Sequence, residues 1–322
     1  MPDLDPGPFL AANLGARSGT ASRVRRGAIG AVWRLDLTGH RHRTLAAKEF
    51  IAYVPDEGDV ANELALQAAA ADAGVPSPEA VGFADGYVAV DPRTGRGWRT
   101  YAWIDGRPAA DDEATRRWLI RQVAAIHRLG RTEPEPPLHS FSLTVDADWP
   151  ALVAATYRAG LPWAERFERV VEERVPGLAW LVGSRPKEAP IWSHRDAQPA
   201  NVMVTADGRR LLVDWDNAGG TWDRRELGSQ LAPLLDDRDQ LRSAYDLYRE
   251  AGGTARITGP DAFASSVAAT LNFLAEQVGR LTDPAASEDD RDYAGGWLPG
   301  LLDDLPDLEL LTEAAGLLSD RG

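Results

Sequence analysis

The apolar residues of this chain change their period once, near Asp105-Gly106-Arg107-Pro108, and that change constrains the fold more than any other feature of the sequence. Before it, short runs rich in Val, Thr, Trp and Tyr alternate with glycine-marked turns, the pattern of strands. Residues 22–54 read as a hairpin followed by a third strand, with breaks at Gly27, Gly30 and Gly39. DEGDVANELALQAAAADAG follows, with acids in its first turn and Gly74 at its end, and reads as one well-marked helix stopped by Pro76 and Pro78. AVGFADGYVAV and WRTYAWI flank the turn DPRTGRG as a second hairpin. After residue 105 the apolar spacing becomes three and four. Helices are expected over 111–129, 147–175, 223–234, 238–251, 260–281 and 299–318, with small strands at Ile191-Trp192, Val202 to Val204 and Leu211 to Val213. TEPEPPLHS reads as a Pro-rich connector and DPAASEDDRD as a polar loop. The expected division is a β-rich domain over 1–105 and a helical one over 106–322.

Composition narrows the possible chemistry. The 322 residues include no Cys, which removes disulfides, thiolate metal sites and thiol nucleophiles together. No run approaches the roughly 18 apolar residues that a membrane span needs, so no membrane partner is expected. The start, MPDLDPGPFLAANLG, carries acids where a signal peptide carries Lys or Arg, and a cytoplasmic protein is expected. A net charge of -14 argues against nucleic acid as a partner. That charge is uneven: residues 1–50 hold eight Lys or Arg against four acids, whereas Asp283 onward holds eleven acids against two Arg.

The richest stretch for chemistry is Trp192-Ser-His-Arg-Asp-Ala-Gln-Pro-Ala-Asn-Val-Met-Val, followed by Leu211-Leu-Val-Asp-Trp-Asp. Asp196 and Asn201 fall five apart on a loop, and Asp214 ends a strand thirteen residues later. Phosphoryl transfer from a nucleotide needs a carboxylate beside the acceptor hydroxyl and oxygen ligands for a divalent ion, and these three side chains supply that set. Helix caps and turns also use Asp and Asn, so the motif is informative only in its context. Lys48 lies in the apolar run Leu45-Ala-Ala-Lys-Glu-Phe, where an unpaired ammonium is costly. Glu63, fifteen residues on in the following helix, is placed to pair with it. A strand-edge lysine in water and a glutamate on a solvated helix face would leave the same trace.

The order Gly27-Ala28-Ile29-Gly30, Lys48, Glu63, an extended connector, His194-x-Asp196-x-x-x-x-Asn201 and Asp214-Trp215-Asp216 resembles the aminoglycoside phosphotransferase and choline kinase-like superfamily of small-molecule kinases. The resemblance implies an α+β, bilobal protein-kinase-like fold: a small antiparallel sheet with one main helix, then a larger, mostly helical lobe. It implies ATP or GTP as phosphoryl donor and Mg2+ as cofactor. By the same resemblance Asp196 is the catalytic base, Asn201 and Asp214 bind the metal, and His194 anchors the loop. Lys48 and Glu63 are the strand lysine and helix glutamate, Gly27, Ala28 and Gly30 belong to the loop over the phosphates, and Ala102, Trp103 and Ile104 meet the purine. The sequence departs from the commonest family pattern with Arg195 where Gly is usual and Ala197 where a larger apolar residue is usual, which bears on acceptor specificity.

Only about ten residues separate Asp214 from the next expected helix, too few for a long activation segment, so the expected acceptor is the hydroxyl of a small molecule and no obligate protein partner is expected. The acidic run from Asp283, with Asp216, Asp223, Asp236 and Asp237, suits a cationic acceptor, and serves equally as a solubilising surface. Trp215, Trp222 and Trp297 are candidates for stacking on the acceptor or for packing. Asp216 is a candidate for positioning metal or substrate, without an assigned metal bond. His127 reads as a core histidine. The alternative to an enzyme is a kinase-fold protein that binds a nucleotide or metabolite without turnover, which has no chemical need for all five of Lys48, Glu63, Asp196, Asn201 and Asp214.

Overall fold

The computed structural model describes residues 5–26, 30–51, 53–131 and 141–319. Two compact units emerge, Met1–Leu129 with Asp196–Ala218, and Gly130–Arg195 with Gly219–Gly322. The units therefore do not follow the division expected at residues 105 and 106.

In the first unit, strands Ser18–Arg26 (β1), Gly30–Thr38 (β2) and Thr44–Phe50 (β3) form an antiparallel meander. Strict alternation in β2 turns Trp33, Leu35 and Leu37 inward and Arg34, Asp36 and Thr38 outward. A short helix, Gly7–Asn13 (α1), which the sequence reading did not anticipate, lays Leu10 and Ala11 on that inward face against Trp33, Leu35, Leu45, Ala47 and Trp98. Gly30 opens β2 close to its neighbour: a Cβ there would sit 1.9 Å from the Glu49 carbonyl oxygen.

Helix Glu57–Asp72 (α2) begins at Asp56, whose carboxylate accepts from the Gly58 and Asp59 amides at 2.8 and 3.3 Å. It ends where Gly74 turns left-handed (φ 91°) and Val75 N–H reaches back to the Ala70 carbonyl. Strands Ala80–Val81 (β4), Ala89–Val90 (β5) and Gly97–Ala102 (β6) complete a sheet of order β1-β2-β3-β6-β4, with β5 also on β6. The expected hairpin around DPRTGRG is the β5–β6 pair.

Strand Gly106–Pro108 (β7) leads into helix Glu113–His127 (α3), capped by Asp112 and packed through Leu119, Ile120, Val123 and Ile126. His127 is buried at its end, as expected.

The second unit is mostly helical. The helix expected over 147–175 is two, Trp149–Arg158 (α4) and Ala164–Glu173 (α5), divided where Gly160 adopts φ 63° and Pro162 follows. Val175–Gly183 (α6) was hidden by its Pro, its glycines and the lack of a polar face. Ile191–Ser193 (β8) forms as expected and returns below as one strand of a two-stranded ribbon. Back in the first unit, β7 pairs with Val202–Thr205 (β9), which also pairs with Arg210–Leu212 (β10). That sheet carries 196–218 into the first unit, and this is why the division at 105 does not hold for the compact units.

Gly219–Thr221 (β11) pairs with β8 in the second unit. Helices Asp223–Leu231 (α7), Arg238–Glu250 (α8), Ala264–Thr282 (α9), Glu288–Asp303 (α10) and Leu308–Ser319 (α11) follow. Val267, Leu271, Leu274 and Val278 give α9 a buried stripe at helical spacing. Half of the expected polar loop DPAASEDDRD is the start of α10: Ser287 caps it, and Glu288, Asp289 and Asp290 occupy the first turn, where the helix dipole favours negative charge. The helix expected over 299–318 is interrupted at Pro306.

Candidate active site

Strand period two decides which side chains can meet. Lys48 on β3 lies directly across from Val32 on β2 and Arg99 on β6, so all three share one face, opposite to the face of Leu45 and Ala47. Tyr101, two residues beyond Arg99, shares that face too. The Lys48 ammonium is 2.5 Å from Asp214 Oδ1 and also pairs with Asp216 Oδ2. Its side chain is 13% exposed, so it is not a surface lysine with its head in water.

The hairpin of β9 and β10 gathers the acidic residues. Val202 pairs with Leu212, and just beyond, Val213 N–H donates to the Asn201 carbonyl at 2.9 Å, so Asn201 and Asp214 emerge side by side. A single tight turn, Pro199–Asn201, connects Asn201 to Asp196. The Asn201 amide nitrogen donates to the Asp196 carbonyl oxygen and to its carboxylate, both at 2.9 Å. Gln198 donates to the other carboxylate oxygen at 2.7 Å. The only non-glycine residues with positive φ among those described are Arg195 and Asp214, both at 64°. Strained backbone of this kind costs about 1–3 kcal/mol per residue, and here it adjoins Asp196 on one side and belongs to Asp214 on the other. The φ at Arg195 also accounts for the glycine usual there. In the second unit, the Arg195 amide is held at 2.8 Å by Glu226 of α7, and His194 is fully buried.

Burial and charge oppose each other across the site. Burial pushes the Asp196 carboxyl up to about 6, helped by the Asp214 charge and resisted by hydrogen bonds from Asn201, Asn217 and Gln198. Burial would pull the Lys48 ammonium down, but Asp216 and Asp214 outweigh it and hold Lys48 above the ordinary lysine value. Burial also raises Glu63, against the pull of Arg99.

The expected Lys48–Glu63 pair is replaced. Both Glu63 oxygens take the Arg99 guanidinium, at 2.6 and 2.8 Å, while Lys48 pairs with the two aspartates. An arginine fork fits a carboxylate in two places at once, which an ammonium cannot do. Arg99 escaped the sequence reading although its signal matched that of Lys48: a cation inside the apolar strand run Trp98-Arg-Thr-Tyr. Another unread signal is composition. Only two of the 35 basic residues are lysines, Lys48 and Lys187, so position 48 keeps an ammonium in a chain that almost everywhere else uses arginine.

Gly27 and Ala28 lie outside the described residues, and the close approach that Gly30 permits is to the Glu49 carbonyl. Ala102 already gives its N–H to Glu79 at 2.8 Å, leaving Trp103 and Ile104, past the end of β6, as the connector residues with backbone outside the sheet. Trp215 and Trp222 are buried, their indole N–H groups donating to the Leu212 and Glu188 carbonyls, whereas Trp297 is exposed and meets Phe273 and Tyr293 edge to face.

The donor set suits a hard divalent cation. With its nitrogen engaged by Asp196, Asn201 has its amide oxygen left to face an ion, and the Asp214 side chain, 38% exposed, offers a carboxylate. Among the described residues no group of three or more His, Asp or Glu forms a metal cage. Mg2+ needs none, since it is commonly held by one or two protein oxygens together with water and phosphate oxygens.

Comparison with known proteins identifies the family and the fold. The family model described as the phosphotransferase enzyme family matches residues 20–260. A spectinomycin phosphotransferase, APH(9)-Ia, solved with ADP and spectinomycin, superposes with a TM-score of 0.68 at 13% identity, covering 99% of this chain and 100% of that one. A choline/ethanolamine kinase family protein from Mesorhizobium loti gives 0.54 at 19% identity, over 97% of this chain and 95% of that one. An amicoumacin kinase solved with AMP-PNP, Ca2+ and Ami gives 0.58 at 14% identity, over 91% and 92%. No curated protein matches in sequence. The chain is thus a member of the phosphotransferase enzyme family, with an α+β, protein-kinase-like fold.

Proposed function

We propose that the protein transfers the γ-phosphoryl group of ATP or GTP to a hydroxyl of a small molecule, with Asp196 as the catalytic base. The observation that carries this reading is the convergence of Lys48, Asp196, Asn201 and Asp214 in one compact unit, with Lys48 on Asp214 across 166 residues of sequence. Asp196 accepts the acceptor's hydroxyl proton, and the hydrogen bonds from Asn201 and Gln198 fix the direction in which its carboxylate points. Lys48 leaves its aspartates to balance phosphate charge. Asn201 and Asp214 hold Mg2+, which when bound neutralises charge on the phosphates. The loop of Gly27, Ala28 and Gly30 covers the phosphates, and Trp103 and Ile104, with the Ala102 carbonyl, meet the purine.

For the acceptor we propose an amine-bearing alcohol, the class to which the ethanolamine named for the Mesorhizobium loti family protein belongs. The test is a single-turnover assay with γ-labelled ATP or GTP and Mg2+ across aminoglycosides, amino sugars and amino alcohols, preselected by thermal shift. Label transferred to one compound, and lost with Asp196→Ala, is the expected result. Nucleotide binding without transfer to any acceptor would instead favour a binding protein.

A further inference from the structure

Arg99 joins two pairs that the fold would otherwise keep separate. It sits directly across from Lys48 on the neighbouring strand and on the same face of the sheet. Its two terminal nitrogens take both oxygens of Glu63, and one of them also reaches Asp216 Oδ1 at 3.2 Å. The other Asp216 oxygen holds Lys48. The side chains of Arg99, Glu63 and Asp216 are only 2%, 6% and 4% exposed, so water does little to screen them. Asp216 is thus a buried carboxylate shared by two cations, and Arg99 a buried cation shared by two carboxylates.

We infer that Arg99 is a positioning residue: it anchors α2 through Glu63 in place of Lys48, and by sharing Asp216 it keeps Lys48 free to exchange its carboxylates for an anionic phosphate. The functional half of this inference rests on the reading of Lys48 as the phosphate-facing cation, and the structural half on the observed contacts alone. The charges give the reason. Two cations, Lys48 and Arg99, face three carboxylates, Glu63, Asp214 and Asp216. Without Arg99 all three would draw on Lys48, and leaving them would be costly. Without Glu63 the guanidinium would turn wholly to Asp216 and loosen its hold on Lys48. The two substitutions therefore act on Lys48 in opposite directions, although they break the same ion pair.

The chain's two lysines make that opposition measurable. A small amine-acylating reagent is applied to the full chain at one fixed pH, and modification of Lys48 is read against exposed Lys187 by peptide mass spectrometry. Arg99→Gln is expected to lower the Lys48:Lys187 ratio about three- to tenfold and Glu63→Gln to raise it by a similar factor, as buried charge pairs allow. If Arg99→Gln does not fold, the paired variant Glu63→Gln/Arg99→Gln, with both buried charges gone, replaces it and is expected to label Lys48 more slowly than Glu63→Gln alone. Ratios that move in the same direction, or do not move, overturn the inference, because a purely structural prop loosens the site whichever partner is lost. Titration with Mg2+ and ATP or GTP then tests the functional half. Arg99→Gln, or the paired variant in its place, is expected to raise the nucleotide KM about tenfold or more while kcat changes less. An unchanged KM beside opposed labelling shifts overturns that half. A wild-type protein that binds neither nucleotide overturns the phosphotransferase reading instead, and leaves the labelling result to decide the place of Arg99.

Discussion

The Asn201 side-chain nitrogen lies 2.9 Å from both the carbonyl oxygen and the carboxylate of Asp196. This clasp does two things at once. It orients the carboxylate without ion-pairing it, and it determines which atom of Asn201 is left to meet a cation.

Asp196→Asn keeps the shape of the side chain and an oxygen for the clasp, but it removes the proposed base. The rate of phosphoryl transfer should fall about 10²–10⁴-fold, the range for loss of a general base. The melting temperature should not drop. A discontinuous assay with labelled nucleotide, alongside a thermal melt, checks both.

The Asp196 carboxyl titrates at about 6, and only its ionised form can accept a proton. Activity in kcat/KM should therefore fall on the acid side of about pH 6, close to tenfold per unit. Stability runs the other way. The folded value lies above the ordinary 3.8, so the folded state holds the proton more tightly between these two values. The contribution of this group to stability is complete below the unfolded value and is lost as pH rises through about 6. Without nucleotide or Mg2+, Asp196→Asn should thus gain about 1–3 kcal/mol over wild type at pH 7 and little at pH 4. Urea unfolding at the two pH values checks the sign.

Asp214 combines a carboxylate with a left-handed backbone, φ 64° and ψ 59°. Asparagine tolerates that conformation and alanine does not, at a cost of about 1–2 kcal/mol. Asp214→Asn should match wild type in stability within about 1 kcal/mol, and Asp214→Ala should fall below it by roughly that strain. Both should lose nucleotide-dependent transfer. Denaturant midpoints of the two variants separate backbone strain from loss of the ligand.

Asp56 acts only as the cap of α2, the helix that carries Glu63. Asp56→Ala should cost about 0.5–2 kcal/mol of stability with kcat nearly unchanged at saturating substrate. Parallel melts and initial rates test this.

The strands of the first unit were legible because alternation leaves a clear trace, as in β2, and α2 because both its ends are marked, by Asp56 and by Gly74. The Asp196, Asn201 and Asp214 motif was legible because spacing and turn residues predict the loop and the short strands that carry it, while the pairing of those strands emerges only in the structure. The partners within the charge cluster were not. Lys48 and Glu63 each called for a counter-ion, but sequence separation does not say which buried charge stands opposite which. Strand register does, and it set Arg99 beside Lys48. The helix breaks at Gly160 and Pro306 were written in the sequence but overridden by apolar spacing that continues on both sides. Helix α6 lacked a polar face to give it a period.

Residues 196–218 belong with the first unit although 66 residues of the second precede them. Neither unit is then a contiguous module. A gene fragment ending at residue 105 or 129 encodes a sheet with Lys48 but without Asp214 and Asp216, and so leaves a largely buried ammonium without the carboxylates it pairs with in the whole chain. Chimeras with relatives that keep both units whole need three crossover points, after Leu129, Arg195 and Ala218, and a single crossover anywhere between residues 48 and 214 would separate the ammonium from its carboxylates.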